Sequence, residues 1–227
     1  MKTLKIAIAL LPLIAGSPAV AATVSDPIGD FIPSFTGTAS PDLDVTSFSV
    51  SLDASATMFA LGAVLAGEID PSLAGFYVIG VNTGSGTARP FAAIGEPNVT
   101  FNQVIVVQKI GTATLGANTL TTLVSGNQFI VSVPVSLLPS TGATPANYGF
   151  NIWPRFGATV TGNAQISDFA PDNALLSANG LLPVPEPATW LMMLLGFRPD
   201  RRNDALSAGP DQGADRSDRV KAQAGTP

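Results

Sequence analysis

Asp44-Val-Thr-Ser-Phe-Ser-Val-Ser-Leu52 decides the fold, because Phe48, Val50 and Leu52 recur at every second position with serines between them. Successive side chains of an extended chain point to opposite faces, so a period of two predicts a strand with one buried and one wet face. Working outward, Thr57 to Ala66 repeats the pattern through Phe59, Leu61, Ala63 and Leu65. Gly75 to Val81 and Val99 to Val107 are more continuously apolar, as central strands covered on both sides should be. Thr119 to Val124 and Gln128 to Val133 flank Ser125-Gly-Asn127, which predicts a hairpin. Asn147 to Trp153 alternates through Tyr148, Phe150 and Ile152, and Ala164 to Phe169 is read as a last short strand. About eight strands without a helical apolar stripe predict an all-β, antiparallel two-sheet β-sandwich of jelly-roll type.

The chain has 227 residues, enough for one domain and its processing segments. It contains neither Cys nor His. That excludes disulfides, thiolate metal sites, imidazole-based nucleophilic catalysis and His-ligated zinc or iron, so the expectation is a protein that is not an enzyme. Between residues 23 and 197, eleven acids stand against only Arg89, Lys109 and Arg155. So few cations cannot track a phosphate backbone, which excludes nucleic acid as a partner and favours cations.

Both ends read as processing segments. Lys2 and Lys5 precede an apolar run from Ile6 to Ala15 and a small-residue exit, Gly16-Ser-Pro-Ala-Val-Ala-Ala22. Residues 1–22 therefore read as a signal peptide cleaved after Ala21 or Ala22, and export is expected. A buried N-terminal helix is the alternative, against which Pro12 and the missing cap count. Residues 23–183 form the predicted sandwich domain. At the other end, an apolar run after Pro185-Glu-Pro187 is stopped by Arg198-Pro-Asp-Arg-Arg202, too short for a spanning helix of about 20 residues. Residues 198–227, rich in Arg, Asp, Ala and Gly, are expected to be disordered.

Within the domain the acids come in turn-rich pairs: Asp26-Pro-Ile-Gly-Asp30, Asp42-Leu-Asp44 and Asp168-Phe-Ala-Pro-Asp172. Carboxylates alternating with turn residues suit Ca²⁺, which takes six to eight oxygen ligands in flexible geometry. If the first and last strands lie side by side, the pairs converge. Otherwise each aspartate simply caps its own turn. Paired carboxylates also admit a glycosidase, though sequence spacing fixes no spatial separation. Trp153-Pro-Arg155 offers an aromatic platform beside a guanidinium, a possible glycan contact, or else a core closure at a strand end. Gly84-Ser-Gly86 lacks the lysine of a phosphate loop and reads as a hairpin tip, and Asn98-Val-Thr100 matches a glycosylation acceptor by three residues only.

The tail Val184-Pro-Glu-Pro-Ala-Thr-Trp-Leu-Met-Met-Leu-Leu-Gly-Phe197 resembles the sorting signal of PEP-CTERM proteins, with Pro185, Glu186, Pro187 and Trp190 in the matching places. The resemblance implies handling by an exosortase, transient membrane association through the tail, and a place at the cell envelope among exopolysaccharide in a biofilm. Residues 184–197 hold only part of such a signal, and the expectation is that a frameshift near codon 197 replaced the rest. The acidic pairs resemble the openings of DOMON-like sandwich modules, which bind sugars or haem. Without His, haem is disfavoured. The expected function is an exported, non-catalytic surface or matrix protein, with a Ca²⁺-dependent carbohydrate-binding module as the alternative.

Overall fold

The computed structural model describes residues 19–157 and 162–184. These residues form eleven strands in chain order: β1 (Val20–Ser25), β2 (Val45–Leu52), β3 (Met58–Leu65), β4 (Phe76–Asn82), β5 (Gln103–Gln108), β6 (Ala113–Leu115), β7 (Asn118–Ser125), β8 (Gln128–Pro134), β9 (Gly149–Arg155), β10 (Leu176–Ser177) and β11 (Gly180–Leu181). Among the described residues the only helical pieces are short 3₁₀ turns. The fold is all-β and antiparallel, as the alternating pattern predicts.

All the strands belong to one sheet, ordered β1-β2-β3-β8-β7-β6-β5-β4-β9-β10-β11. The sheet folds over so that β1, β2, β3, β8 and β7 face the remaining strands, and the two halves are joined where β6 pairs with β7, Ala113 opposite Leu120. The expected two separate sheets are thus one continuous sheet, nearly closed into a barrel. Its end strands β1 and β10–β11 approach each other without pairing, leaving one open seam.

The alternation sets which side chains fill the interior. Phe48, Val50 and Leu52 of β2 and Phe59, Leu61, Ala63 and Leu65 of β3 are buried against Tyr77, Ile79 and Val81 of β4 and Phe150 and Ile152 of β9. Phe59 meets Phe150 edge-on at 5.0 Å between ring centroids, and Tyr77 lies 5.0 Å from Phe129. Burying each such side chain stabilises the fold by roughly 1.5–3 kcal/mol, so one face of the sheet is committed to this core.

β4 is buried on both faces, which explains its unbroken apolar reading. Its outward residues Phe76 and Val78 join Trp153 of β9 in a second core covered by Ile32, Phe91, Val99, Ile166 and Phe169 from the connecting loops. The Trp153 ring lies on Gly80, where an added Cβ would come within 2.7 Å of it. This second core accounts for two errors of assignment. Val99 and Phe101, and Ile166 and Phe169, cover β4 and β9 from loops, although their segments read as strands. Only isolated bridges at Ile166 and Ala170 recover any pairing there.

Residues 1–18 of the expected signal peptide lie outside the described residues, but Val20–Ala22 are paired with Val50–Leu52 as the start of β1. Cleavage after Ala22 would leave Thr23–Ser25 of that strand. The Pro-Glu-Pro tail, Trp190 and residues 198–227 also lie outside the described residues. Among the described residues no helix is long and apolar enough to cross a membrane.

Candidate metal centre

Three segments meet near the open seam. The first is the turn that follows β1. Asp26 donates its backbone N–H to Thr46 O at 3.0 Å, which holds the turn against β2. Gly29 then adopts φ +83°, a conformation open to Gly at little cost, and its N–H donates to Asp44 Oδ2 at 2.8 Å. The second segment is the 3₁₀ turn Pro41–Leu43, which delivers Asp44 in an extended conformation just before β2. The third is Ser167-Asp168-Phe169. Ser167 Oγ donates to Leu43 O at 2.7 Å, and Ile32 N–H donates to Ser167 O at 2.9 Å, so this segment is tied to both of the others. Asp168 accepts Val45 N–H at 2.8 Å through Oδ2 and Phe169 N–H at 2.7 Å through Oδ1.

The folded chain therefore brings together five of the six aspartates singled out from the sequence. One oxygen each of Asp26, Asp30 and Asp172 lie within 4.8 Å of one another, and so do one oxygen each of Asp30, Asp44 and Asp168. Asp44 is 3 % exposed and Asp168 1 %, whereas Asp172 is exposed, so the cluster runs from the interior to solvent. Asp26 Oδ2, Asp30 Oδ1 and Asp44 Oδ1 are buried atoms without a hydrogen-bond partner. Backbone N–H groups thus hold some of the oxygens in place and leave others facing one another.

Charge makes that arrangement costly. Burial, then the charges of Asp172, Asp30, Asp44 and Glu96, push the Asp26 carboxyl up to about 8. Burial, then Asp26 and Asp30, push Asp168 up to about 9, against two backbone N–H bonds that act in the opposite direction. Asp44 and Asp172 are raised by burial and by Asp30. Among the described residues the only ion pair is Lys109 with Asp42, and it does not belong to this cluster. Like charges this close require protons or a cation.

The donor set fits Ca²⁺. Oxygens bind that ion at about 2.3–2.6 Å, so two ligands of one ion lie no more than roughly 5 Å apart, the separation found in both groups. All the side-chain donors are hard carboxylates, without the nitrogen or sulfur that zinc prefers.

Glu96 is the group that the sequence pattern did not single out. It is 8 % exposed, accepts the Asn173 N–H through Oε2, and is raised by burial and by the Asp172 charge. It sits in Gly95-Glu-Pro-Asn98, 52 residues after Asp44 and 72 before Asp168, with no second acid beside it to mark it.

Two expectations are corrected. Asp42 is not part of the cluster: its Oδ2 lies 2.6 Å from Lys109 Nζ, and it also accepts Ser40 Oγ–H and Asp70 N–H. The 3₁₀ turn sends Asp42 and Asp44 to different surroundings. Trp153 and Arg155 offer no face to a glycan, being 2 % and 3 % exposed. Trp153 packs among Phe91, Phe101 and Phe169, and Arg155 donates to Gly162 O. The structure bears out the core-closing alternative for Trp153.

Elsewhere aspartates do cap turns. Asp53 accepts bonds from Thr57 N–H, Met58 N–H and the Ser55 and Thr57 hydroxyls, which hold its carboxyl well below the usual range. Gly84-Ser-Gly86 is a loop gathered by Asn82, whose Oδ1 accepts the Gly84 and Gly86 N–H groups. A cleft of about 420 Å³ is lined in part by Arg89, Asn98, Thr100, Leu175 and Leu182, and Asn98 N–H donates to Asn173 Oδ1, the residue after Asp172. Comparison with protein-family models finds none that matches this chain, and none of the curated proteins searched matches it either.

Proposed function

We propose that this chain is an exported, non-catalytic surface or matrix protein whose folded sheet is completed by bound Ca²⁺. The observation that carries the metal part is the convergence of Asp26, Asp30, Asp44, Asp168 and Asp172 from three distant segments without an ion pair to any cationic side chain among the described residues. A bound ion would neutralise the inner carboxylates and join the segment after β1, the entry to β2 and the segment before β10. The near-complete burial of Asp44 and Asp168 supports a structural role, since a sugar ring could not pass between them as glycoside hydrolysis requires.

Thermal melting of the full chain with Ca²⁺ and with chelator tests the metal part. A ligand that binds only the native state must raise its stability, so the melting temperature should rise with Ca²⁺. Superimposable curves would reduce the aspartates to turn formers.

Export and sorting rest on sequence: the basic and apolar N-terminus and the resemblance of Val184–Phe197 to a PEP-CTERM signal. Fractionation of an exopolysaccharide-producing host tests this part, with processed protein expected in the envelope or medium. Full-length chain in the cytoplasm with its leader attached would contradict it.

A second role, glycan binding that depends on Ca²⁺, draws support from the cleft that Asn98 ties to Asn173. Arg89, Asn98 and Thr100 line it, and the Asn98–Asn173–Glu96 hydrogen bonds connect it to the acids. Affinity electrophoresis in exopolysaccharide tests it: retardation should require Ca²⁺ and weaken in Arg89→Ala. Unchanged mobility under all conditions would remove this role.

A further inference from the structure

The two carboxylate groups share one member. Asp30 lies with Asp26 and Asp172 toward solvent and with Asp44 and Asp168 toward the interior. We infer that the centre holds two Ca²⁺ ions, an inner one held by Asp44 and Asp168 and an outer one held by Asp26 and Asp172, with Asp30 bridging them. This rests on the metal reading above and extends it from one ion to two.

Three observations carry it. The inner group is a buried site in its own right: Asp44 is 3 % exposed, and its Oδ1 has no partner while Gly29 N–H occupies Oδ2. A single ion there would leave Asp26 Oδ2, also buried and without a partner, next to Asp172 and Glu96 with nothing to offset them. A single ion in the outer position would leave Asp44 and Asp168 buried without a counter-charge, an arrangement that destabilises strongly. Five aspartates and Glu96 carry six negative charges when ionised, and two divalent ions offset four of them. A carboxylate has two oxygens and can ligate one ion with each, as in centres where two metals lie about 3.5–4 Å apart.

The two ions would also differ in what they join. The inner one links the turn after β1 to Asp44 and Asp168, whose segments are already tied together, Val45 N–H donating to Asp168 Oδ2 and Ser167 Oγ to Leu43 O. The outer one links the same turn to Asp172, four residues before β10, across the open seam. Occupancy of the inner position therefore precedes the outer one as Ca²⁺ rises, because its ligands are better fixed.

Native mass spectrometry of the full chain, titrated with CaCl₂ after chelation, counts the ions. The expected result is two per chain in wild type, one in Asp44→Asn, one in Asp172→Asn, and neither ion retained at the wild-type concentration in Asp30→Asn. Chelator-treated melts of the same variants check that each still unfolds cooperatively. The wild-type count needs no variant. A count of one, abolished alike by Asp44→Asn and Asp172→Asn, would overturn the pair and leave a single-ion centre standing. A count of zero would overturn both.

Discussion

Asp42 and Asp44 stand two residues apart, both almost fully buried, and the fold solves their charges in opposite ways. Asp42 is met by Lys109 at 2.6 Å, with a serine hydroxyl and a backbone N–H completing its coordination. Asp44 is met by a backbone N–H on one oxygen and by other carboxylates around the second. The first site is finished by the chain itself. The second lacks any such internal cation among the described residues, and on the proposal above a bound ion supplies it.

Removing the internal cation should have the largest effect. Lys109→Met leaves Asp42 buried without its partner and is expected to cost about 3–5 kcal/mol of stability, the range seen when one member of a buried pair is removed. Urea unfolding measures it, and the loss should be the same with Ca²⁺ and with chelator, because Lys109 belongs to the other site.

Adding the external cation comes next. With free Ca²⁺ at 100 times its dissociation constant, one site gains about 2.7 kcal/mol by mass action, and the gain should be visible in the urea midpoint. A midpoint that does not move would make the two aspartates alike after all.

The pH dependence sharpens the contrast further. Asp26 and Asp168 are raised from 3.8 to about 8 and about 9 by burial and by their acidic neighbours. Between those limits these two groups bind more protons in the folded chain than in the unfolded one, so what they contribute to metal-free stability is fully present below about pH 4 and is lost as pH rises through 8 to 9. Ca²⁺ replaces those protons, so the stabilisation it gives should grow over the same interval. Melting temperatures at pH 5 and pH 9, with and without chelator, check both signs. A metal-free protein that becomes more stable toward pH 9 would contradict them.

Glu96→Gln should do least. The amide oxygen can still accept the Asn173 N–H, while one negative charge beside Asp26 and Asp172 is lost. In chelator the variant is expected to be more stable than wild type by less than about 1 kcal/mol, read from urea unfolding, and to bind Ca²⁺ slightly more weakly.

The fold was legible at β2 and β3, where burial alternates, but not at β1, whose alternating residues begin inside the expected signal peptide. Phe48, Val50 and Leu52 mark β2 because one of its faces is wet and the other dry, and Gly126-Asn127 joins β7 to β8 as the turn chemistry predicts. Legibility failed where a loop is as apolar as a strand. Val99 and Phe169 are buried on top of β4 and β9, and hydrophobicity alone does not say whether a residue belongs to a sheet or covers one. β6, β10 and β11 have two or three residues each, too few to show a period.

The centre was half legible for a related reason. Aspartates spaced by Pro and Gly announce turns, and pairs near the two ends of a folded-over sheet can meet, so Asp26, Asp30, Asp168 and Asp172 could be named together. Nothing in Pro41-Asp-Leu-Asp44 says which aspartate turns inward to carboxylates and which to Lys109, because that choice depends on a 3₁₀ turn and on a lysine 67 residues away. Trp153 misled for the opposite reason: a residue able to stack on a sugar is equally able to fill a core, and Gly80 has cleared the space for it.

The most direct test is the unfolding free energy of Asp44→Asn relative to wild type, measured in chelator and again in saturating Ca²⁺. Removing one buried negative charge should leave the variant at least as stable as wild type in chelator and clearly less stable in Ca²⁺, a reversal of sign. An equal loss under both conditions would mean that Asp44 serves the fold as Asp42 does, and that the cluster is not a cation site.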